Sequence, residues 1–204
     1  MMSSFPSKYQ VSAVAKARRG HRAGSRPGMA ACLAASVLIA VPLPVFAESG
    51  PGENIAISLS SSIAGNQVGQ GGKPAVTAGT LVDYTVAVTG PKQRGTPVTS
   101  FAISDKVPEH LALFVGDLEQ TGNGPAAFSD YDSGLEFSFR GLSNPNDSIE
   151  FSTDGGKSFD YVPIADSEGF DANVTHIRFR PRGALLATTG QNERFSLRYR
   201  MKVK

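Results

Sequence analysis

The chain has 204 residues, of which 40% are hydrophobic and 19% charged, with one cysteine and no tryptophan. This balance is typical of a soluble globular protein with one or two small domains, and it excludes a disordered chain and a polytopic membrane protein. The formal charge of +2 is uneven, because residues 1–47 hold six of the 20 Lys and Arg and none of the 18 Asp and Glu. The remainder carries 14 bases against 18 acids, a net charge of −4, which argues against nucleic-acid binding through phosphate neutralisation.

Residues 1–47 have the organisation of a secretory signal peptide. A basic segment precedes an apolar run over 29–41, and prolines then break the run before the small residue Ala47. The run is shorter than the roughly 20 residues of a spanning helix, so we predict cleavage between Ala47 and Glu48 and no membrane span afterwards. The single cysteine leaves with this segment, so the exported fold would contain no disulfide. The pair Arg18-Arg19 leaves the twin-arginine route open beside the general one.

From residue 48 onward, apolar and polar residues alternate with the period of two that places strand side chains on opposite faces. In chain order this pattern predicts strands near 55–59, 81–89, 101–103, 111–115, 135–140, 149–152, 159–162, 176–180 and 194–203. The last is the clearest, with apolar residues from Phe195 to Val203 on one face and polar residues from Arg194 to Lys202 on the other. Such a strand has one buried face and one solvated face.

Clusters of Gly, Pro, Asn and Asp separate the predicted strands and favour turns. No ten-residue window has a helical stripe, although 109–113 and 184–187 can each form one helical turn. Eight or nine short strands at this spacing predict an all-β fold, an antiparallel β-sandwich with Greek-key topology. Because no strong repeat or linker divides the pattern, we predict a single domain over residues 48–204.

Four sequence blocks carry a resemblance to a known family. Gly79 precedes a strand reading Val-Asp-Tyr-Thr-Val-Ala-Val-Thr over 82–89, and Asp-Lys-Val-Pro follows at 105–108. With the blocks at 150–159 and 174–178, these residues resemble the bacterial "conserved repeat domain" family, domain of unknown function eleven, an immunoglobulin-like module of exported and surface proteins. The chain departs from the family in the turn after the first strand, where it has Gly-Pro-Lys. The resemblance implies an immunoglobulin-like sandwich over about residues 54–203 and names no ligand.

Residues 152–159 read Ser-Thr-Asp-Gly-Gly-Lys-Ser-Phe and match the Asp-box pattern S-x-D-x-G-x-x-F of sialidases and other propeller proteins. In those proteins the box is a hairpin turn remote from catalysis. A propeller also needs several blades, which this chain length excludes. We therefore predict a structural hairpin between 149–152 and 159–162.

Basic side chains on two predicted strands form the candidate ligand face: Arg178, Arg180, Arg194, Arg198, Arg200 and Lys202. If the two strands are neighbours, these cations make a basic stripe that can hold an anionic polymer such as a surface polysaccharide or a lipopolysaccharide phosphate. The alternative is a charged outer face that keeps the strands soluble and protects a sheet edge.

Two further chemistries have some support from residue type. Oxygen ligands for calcium are available in turns, without the spacing of an EF-hand, at Asp130, Asp132, Asn144, Asn146 and Asp147. An internal Lys–Asn isopeptide bond would need Lys73 or Lys106 to be buried, whereas lysine is ordinarily exposed. We predict an acidic, solvated set of turns with no metal and no cofactor.

Catalysis has little support, since residues 48–204 contain two histidines, His110 and His176, and no H-E-x-x-H or G-x-S-x-G motif. We predict a non-enzymatic structural, adhesive or binding module, exported to the periplasm, the cell surface or the extracellular space. Its partner would be an envelope protein or a surface polysaccharide. One alternative is a polysaccharide- or lipopolysaccharide-binding module using the basic face, with Tyr131, Phe159 and Tyr161 as candidate sugar platforms. The other alternative is a hydrolase without a recognisable sequence motif.

Overall fold

The computed structural model describes residues 12–15, 55–64, 76–90, 98–187 and 193–204. Within these ranges every regular element is a β-strand and no helix occurs. The strands are β1 (Ser12–Ala15), β2 (Ala56–Ile63), β3 (Leu81–Thr89), β4 (Phe101–Lys106), β5 (Leu111–Phe114), β6 (Ala126–Asp130), β7 (Leu135–Glu136), β8 (Ile149–Ser152), β9 (Phe170–Asp171), β10 (His176–Phe179), β11 (Arg182–Gly183) and β12 (Glu193–Val203).

All the strand pairs are antiparallel, and they form two main sheets. Sheet A has the order β1-β4-β10-β8, and sheet B has the order β2-β3-β12-β5-β9 with β6 also paired to β12. A two-stranded ribbon joins β11 to β7. The centre of sheet B is β12, because it pairs with β3 along one side and with β6 and then β5 along the other.

Burial follows the alternation of the sequence. In β12 the apolar residues Phe195, Leu197, Tyr199 and Met201 are completely buried, while the cations from Arg198 to Lys202 are half-buried on the opposite face. The same alternation buries every second residue of β3 from Tyr84 to Val88. Because successive side chains of a strand point to opposite faces, each sheet presents one continuous apolar face.

Aromatic side chains join the apolar faces of the two sheets. Phe101 of β4 meets Phe195 of β12 edge-on, with 5.6 Å between ring centroids. Phe179 of β10 lies 5.4 Å from Tyr199 of β12. The buried side chains of both sheets belong to one hydrophobic cluster. The predicted all-β antiparallel class is therefore confirmed, and the packing is consistent with a β-sandwich.

Most of the predicted strands are present, and β3 and β8 have the predicted bounds. Neither segment that could form one helical turn does so: residues 111–114 form β5, as their alternation predicts, and Leu185 makes a β-bridge with Val98. The predicted strand 135–140 ends after Glu136, since the next residues turn back on the segment before β8. There the backbone carbonyl of Ser138 accepts the N–H of Ser148 at 2.8 Å.

The first strand, β1, lies within residues 1–47, the segment predicted as a signal peptide. It pairs antiparallel with β4, from Ser12 opposite Ser104 to Ala15 opposite Phe101. The apolar run over 29–41, the cleavage site predicted between Ala47 and Glu48, and Lys73 all lie outside the described residues. In the ranges that are described, no helix has the length and apolar character needed to cross a membrane.

Candidate ligand-binding cleft and charged surfaces

A cleft of about 350 Å³ opens beside β6 on sheet B. Its walls combine three half-buried aromatic rings with polar side chains at the rim: Phe128, Phe137, Phe139, Glu119, Asn123 and Arg140. Small-ligand sites in proteins commonly have volumes of ~300–1,000 Å³. The cleft lies at the lower end of this range, and its accessible lining is more polar than apolar.

The aromatic wall of the cleft is fixed by packing. Phe128 and Phe137 stack with 5.4 Å between ring centroids and an interplanar angle of 11°. Phe128 also lies 5.4 Å from the completely buried ring of Phe195, which ties the wall to the core. The ring of Phe139 covers Gly124 so closely that an added Cβ would lie 2.5 Å from it. Residue 124 must therefore be glycine for the ring of Phe139 to keep this position.

A closed loop held by Asp117 lines another part of the cleft through Glu119, Gly122 and Asn123. The carboxylate of Asp117 accepts the N–H of Gly122 at 3.0 Å and of Gly124 at 2.7 Å, and these two bonds lower its pKa. A backbone bond from Leu118 N–H to the carbonyl of Gly124 closes the same loop at 2.9 Å. The loop therefore holds Asn123 at the rim in a defined position, ready to donate or accept hydrogen bonds.

Sequence reasoning missed this cleft. The alternation predicts one strand over 135–140, and it does not predict β6 because Ala-Ala-Phe-Ser-Asp has no alternating pattern. The aromatic residues singled out by sequence lie elsewhere: Phe159 lies beneath the guanidinium of Arg178 at 3.9 Å, and the Tyr161 hydroxyl donates to Asp171 at 2.8 Å. The available signal was three phenylalanines between residues 128 and 139, each next to a polar residue.

The predicted basic stripe is divided between two sheets. Arg178 lies in β10 of sheet A and Arg180 directly follows that strand, whereas the other four cations belong to β12 in sheet B. Strand β10 pairs with β4 on one side and with β8 on the other. Arg178 and Arg180 both bind the carboxylate of Glu150 on β8, at 2.5 and 2.9 Å. Because β10 and β12 are not neighbouring strands, the six cations do not form one surface.

On β12 the cations are paired with carboxylates of sheet B and its loops. Asp83 of β3 accepts Arg200 at 2.6 Å and Arg198 at 3.2 Å. Burial alone would raise the pKa of Asp83, but the hydrogen bonds and charges of these two arginines lower it below its usual range. Arg198 also pairs with Glu119 at the cleft, and Lys202 pairs with Glu168. The outer face of β12 is therefore close to neutral.

Arg194 does not lie on the solvated face that its alternation predicted. It is only 8% exposed, and its guanidinium donates to the backbone carbonyl of Asp132. The register of β12 against β3 shifts between Glu193 and Phe195. Ser196, two residues further on, is also buried, so this end of the outer face of β12 is covered. Here the cation stabilises a turn and is not available to a ligand.

The Asp-box forms the predicted turn. Asp154 accepts the N–H groups of Lys157 and Ser158 at 3.0 Å and the hydroxyl of Ser152 at 2.7 Å. These bonds, led by that of Ser158, hold the pKa of Asp154 far below its usual range. The returning segment contacts β8 through a single bridge between Tyr161 and Phe151, so the hairpin is shorter than predicted. The box has a structural role in this fold.

Two of the three carboxylates considered for calcium, Asp130 and Asp147, each hold their own turn. Asp130 accepts the backbone N–H of Ser133 at 2.9 Å, and Asp147 accepts that of Arg140 at the same distance. Among the described residues, no group of three or more His, Cys, Asp or Glu is placed to hold a metal ion. Lys106 is exposed, which removes the burial that an isopeptide bond requires.

The histidines take no part in the cleft. His110 is exposed in the turn before β5, and His176 is half-buried in β10. Burial and the nearby charge of Lys106 lower the pKa of His176. Its Nδ1 lies 3.4 Å from the hydroxyl of Thr175, a contact within its own strand and loop.

A buried carboxylate, that of Asp105, lies between the two sheets. Asp105 of β4 is 2% exposed and accepts the hydroxyl of Tyr199, while its Oδ1 is buried without a hydrogen-bond partner. Burial raises the pKa of Asp105 despite the hydrogen bond from Tyr199. The stacked ring of Tyr84, 5.7 Å from Tyr199, closes this polar centre of the core.

Comparison of the chain with protein-family models, with curated proteins and with solved structures finds no match. The resemblance to the "conserved repeat domain" family therefore stays a prediction. Its first motif occupies β3, and its Asp-Lys-Val-Pro block begins at the end of β4. The fold and the cleft are the structural observations from which a function can be argued.

Proposed function

We propose that this protein is a non-enzymatic binding module, exported by a bacterium to its cell envelope or the extracellular space. Residues 1–47 would be the signal peptide, removed between Ala47 and Glu48. Residues 48–204 would form one immunoglobulin-like Greek-key sandwich of the "conserved repeat domain" kind. The observation that carries the proposal is the cleft beside β6, which combines stacked aromatic rings with a polar rim.

The chemistry of the cleft favours a saccharide ligand. Phe128, Phe137 and Phe139 offer apolar ring faces against which the C–H face of a sugar can pack. Asn123 and Arg140 at the rim supply the hydrogen-bond donors and acceptors that hydroxyl groups need. We therefore propose a surface polysaccharide as the partner.

The basic strand face is the second candidate and has less support. All six cations have partners: five carboxylates and the carbonyl of Asp132. An anionic polymer would have to displace these ion pairs before it could bind. Arg180 has a side chain that is 56% exposed, so it is the cation most accessible to such a polymer.

The export part of the proposal is tested by the mass of the protein recovered from the producing cells. We expect an intact mass that begins at Glu48, found outside the cytoplasmic fraction. An intact chain that begins at Met1 and stays in the cytoplasm would contradict export.

The binding part is tested by capture on polysaccharide purified from the same envelope, at low and high salt. Asn123→Ala and Phe139→Ala should each reduce capture by about tenfold or more, because each removes a cleft contact worth on the order of 1.4 kcal/mol. Ile164→Ala, at a side chain 73% exposed and outside the cleft lining, is the matched control and should bind like the wild type.

The salt dependence separates the two candidate surfaces. Binding in the cleft should persist at high salt, because stacking on Phe139 and hydrogen bonds to Asn123 do not depend on attraction between charges. Capture that falls steeply with salt and is lost in Arg180→Glu, but not in Asn123→Ala, would instead identify the basic face. Absence of capture under both conditions would contradict the proposed polysaccharide ligand.

A further inference from the structure

One edge of sheet A is covered by a segment that export would remove. Strand β4 pairs with β10 on one side and with β1 on the other, and β1 lies within the predicted signal peptide. If residues 1–47 are cleaved, as the proposed function requires, the backbone N–H and C=O groups along this side of β4 lose their partners. An unpaired strand edge is a template for pairing with another extended chain.

Within the described residues, and apart from β1, the edge of β4 lacks the features that usually protect such an edge. Its residues on the outer face are Ala102 and Ser104, and its one charged outer residue, Lys106, lies at the end of the strand. The opposite edge of the sheet, β8, has Glu150 paired with two arginines and is bridged by Tyr161. Charges along a strand and covering segments are the usual means of blocking edge pairing.

The register of the pairing indicates which strand would fit. Ala15 lies opposite Phe101 and Ala13 opposite Ile103, and both of these β4 residues are buried in the core. Small residues therefore stand at the two positions opposite core residues. Since a slip by one residue would reverse both faces, the buried side of β4 fixes the register of an added strand.

We infer that the β4 edge is a strand-acceptor site that becomes open when residues 1–47 are removed. Its occupant is an extended, uncharged segment of a partner polypeptide, antiparallel to β4, with small residues opposite Phe101 and Ile103. Main-chain hydrogen bonds supply the affinity, as in other cases of strand addition. Until cleavage, β1 occupies the site and prevents premature pairing.

The test uses the complete chain and a labelled peptide of residues 9–18, which contains the β1 sequence. Val14→Pro removes a backbone donor in the middle of β1 and should release the edge, because proline disrupts strand pairing. We expect the Val14→Pro chain to bind the peptide at least about tenfold more tightly than the wild type, in which the tethered β1 competes at high effective concentration.

Matched lysine substitutions locate the binding. Ser104→Lys in the Val14→Pro background places a charge on the acceptor strand and should abolish peptide binding. Ser60→Lys in the same background places it on β2, the edge strand of sheet B, and should leave binding unchanged. A cooperative thermal melt of each variant establishes that it is folded. If the proline variant does not melt cooperatively, a chain with residues 12–15 replaced by Gly-Ser-Gly-Ser takes its place in the binding experiment.

The possible outcomes separate this inference from the export proposal. Lack of peptide binding by a folded chain without β1, or equal binding in the Ser104→Lys background, would overturn the acceptor site. Self-association of the Val14→Pro chain that Ser104→Lys abolishes would replace the partner polypeptide with a second copy of this chain. The mass of the exported protein is measured independently, so retention of residues 1–47 in cells contradicts the cleavage step without affecting the peptide result.

Discussion

Asp105 is a carboxyl group in the middle of an apolar core, and its environment determines how its charge affects stability. Burial raises its pKa above the ordinary value of 3.8, so the folded chain holds this proton more tightly than the unfolded chain does. The stabilisation from the protonated group is fully present below pH 3.8 and is lost as the pH rises through the folded-state pKa. Near neutral pH the buried group therefore lowers the free energy of unfolding.

Asp105→Asn should raise the stability of the protein at neutral pH. Asparagine keeps an oxygen for the Tyr199 hydroxyl and has no charge to desolvate. We expect the melting temperature at pH 7 to rise by a few degrees, and the difference from the wild type to shrink towards zero as the pH falls below about 4. Asp160→Asn, at an exposed carboxylate, is the control for the loss of one acid. A difference that stays constant between pH 3 and 7 would contradict this assignment.

Two glycines of the loop between β5 and β6 allow the aromatic wall to be tested in isolation. Gly122 and Gly124 both have positive φ angles, +88° and +75°. A Cβ at Gly124 would collide with the ring of Phe139, whereas one at Gly122 has no heavy atom within 4 Å. The pair therefore separates backbone strain from side-chain contact.

Gly122→Ala should lower the free energy of unfolding by about 1 kcal/mol through backbone strain alone. Gly124→Ala should lower it by about 1–3 kcal/mol more, because the ring of Phe139 must move. The measurement is urea denaturation of both variants, with polysaccharide capture to report on the cleft. Equal losses of stability in the two variants would show that Phe139 does not pack against Gly124.

At the scale of strands, alternation predicts those elements whose two faces differ in solvent exposure. β3 and β12 show this, since each buries one face against the other sheet and leaves the other face half-exposed. The pattern fails for Phe137 and Phe139, which alternate with polar residues but line the cleft and do not belong to a strand. It also fails at Arg194, because the register shift in β12 cannot be read from side-chain polarity. The local alternation of apolar and polar residues thus predicts where strands lie. Strand register and loop contacts cannot be predicted in this way, because they depend on the tertiary structure.

Removal of residues 194–204 should unfold the protein. The deletion takes away four completely buried side chains of β12, each worth about 2–5 kcal/mol, against a total stability of about 5–15 kcal/mol. It also leaves β3, β5 and β6 without the strand that joins them. Circular dichroism during heating checks this, with a chain lacking only Lys204 as the control. A cooperative melt in the shorter chain would contradict the central place of β12.

For the whole molecule, the candidate site was less predictable than the fold. The six cations were visible in the sequence, but their partners Glu150, Asp83 and Glu119 lie 28 to 117 residues away and are brought to them only by strand pairing. The cleft likewise needs the loop at 117–124, β6 and the segment after β7 to meet. Neither the composition nor the alternation of the sequence could predict these ion pairs or the cleft. The exposed charges that sequence emphasised are neutralised, and the unmarked phenylalanines form the concave surface.

The central claim is that this sandwich binds its ligand through the cleft beside β6. The most direct measurement is a map of amide chemical-shift changes as envelope polysaccharide is added to the isotopically labelled protein. We predict changes concentrated at residues 119–128 and 137–140, with little change at Arg178, Arg180 and Arg200. Changes confined to the outer faces of β10 and β12, with the cleft unaffected, would contradict it.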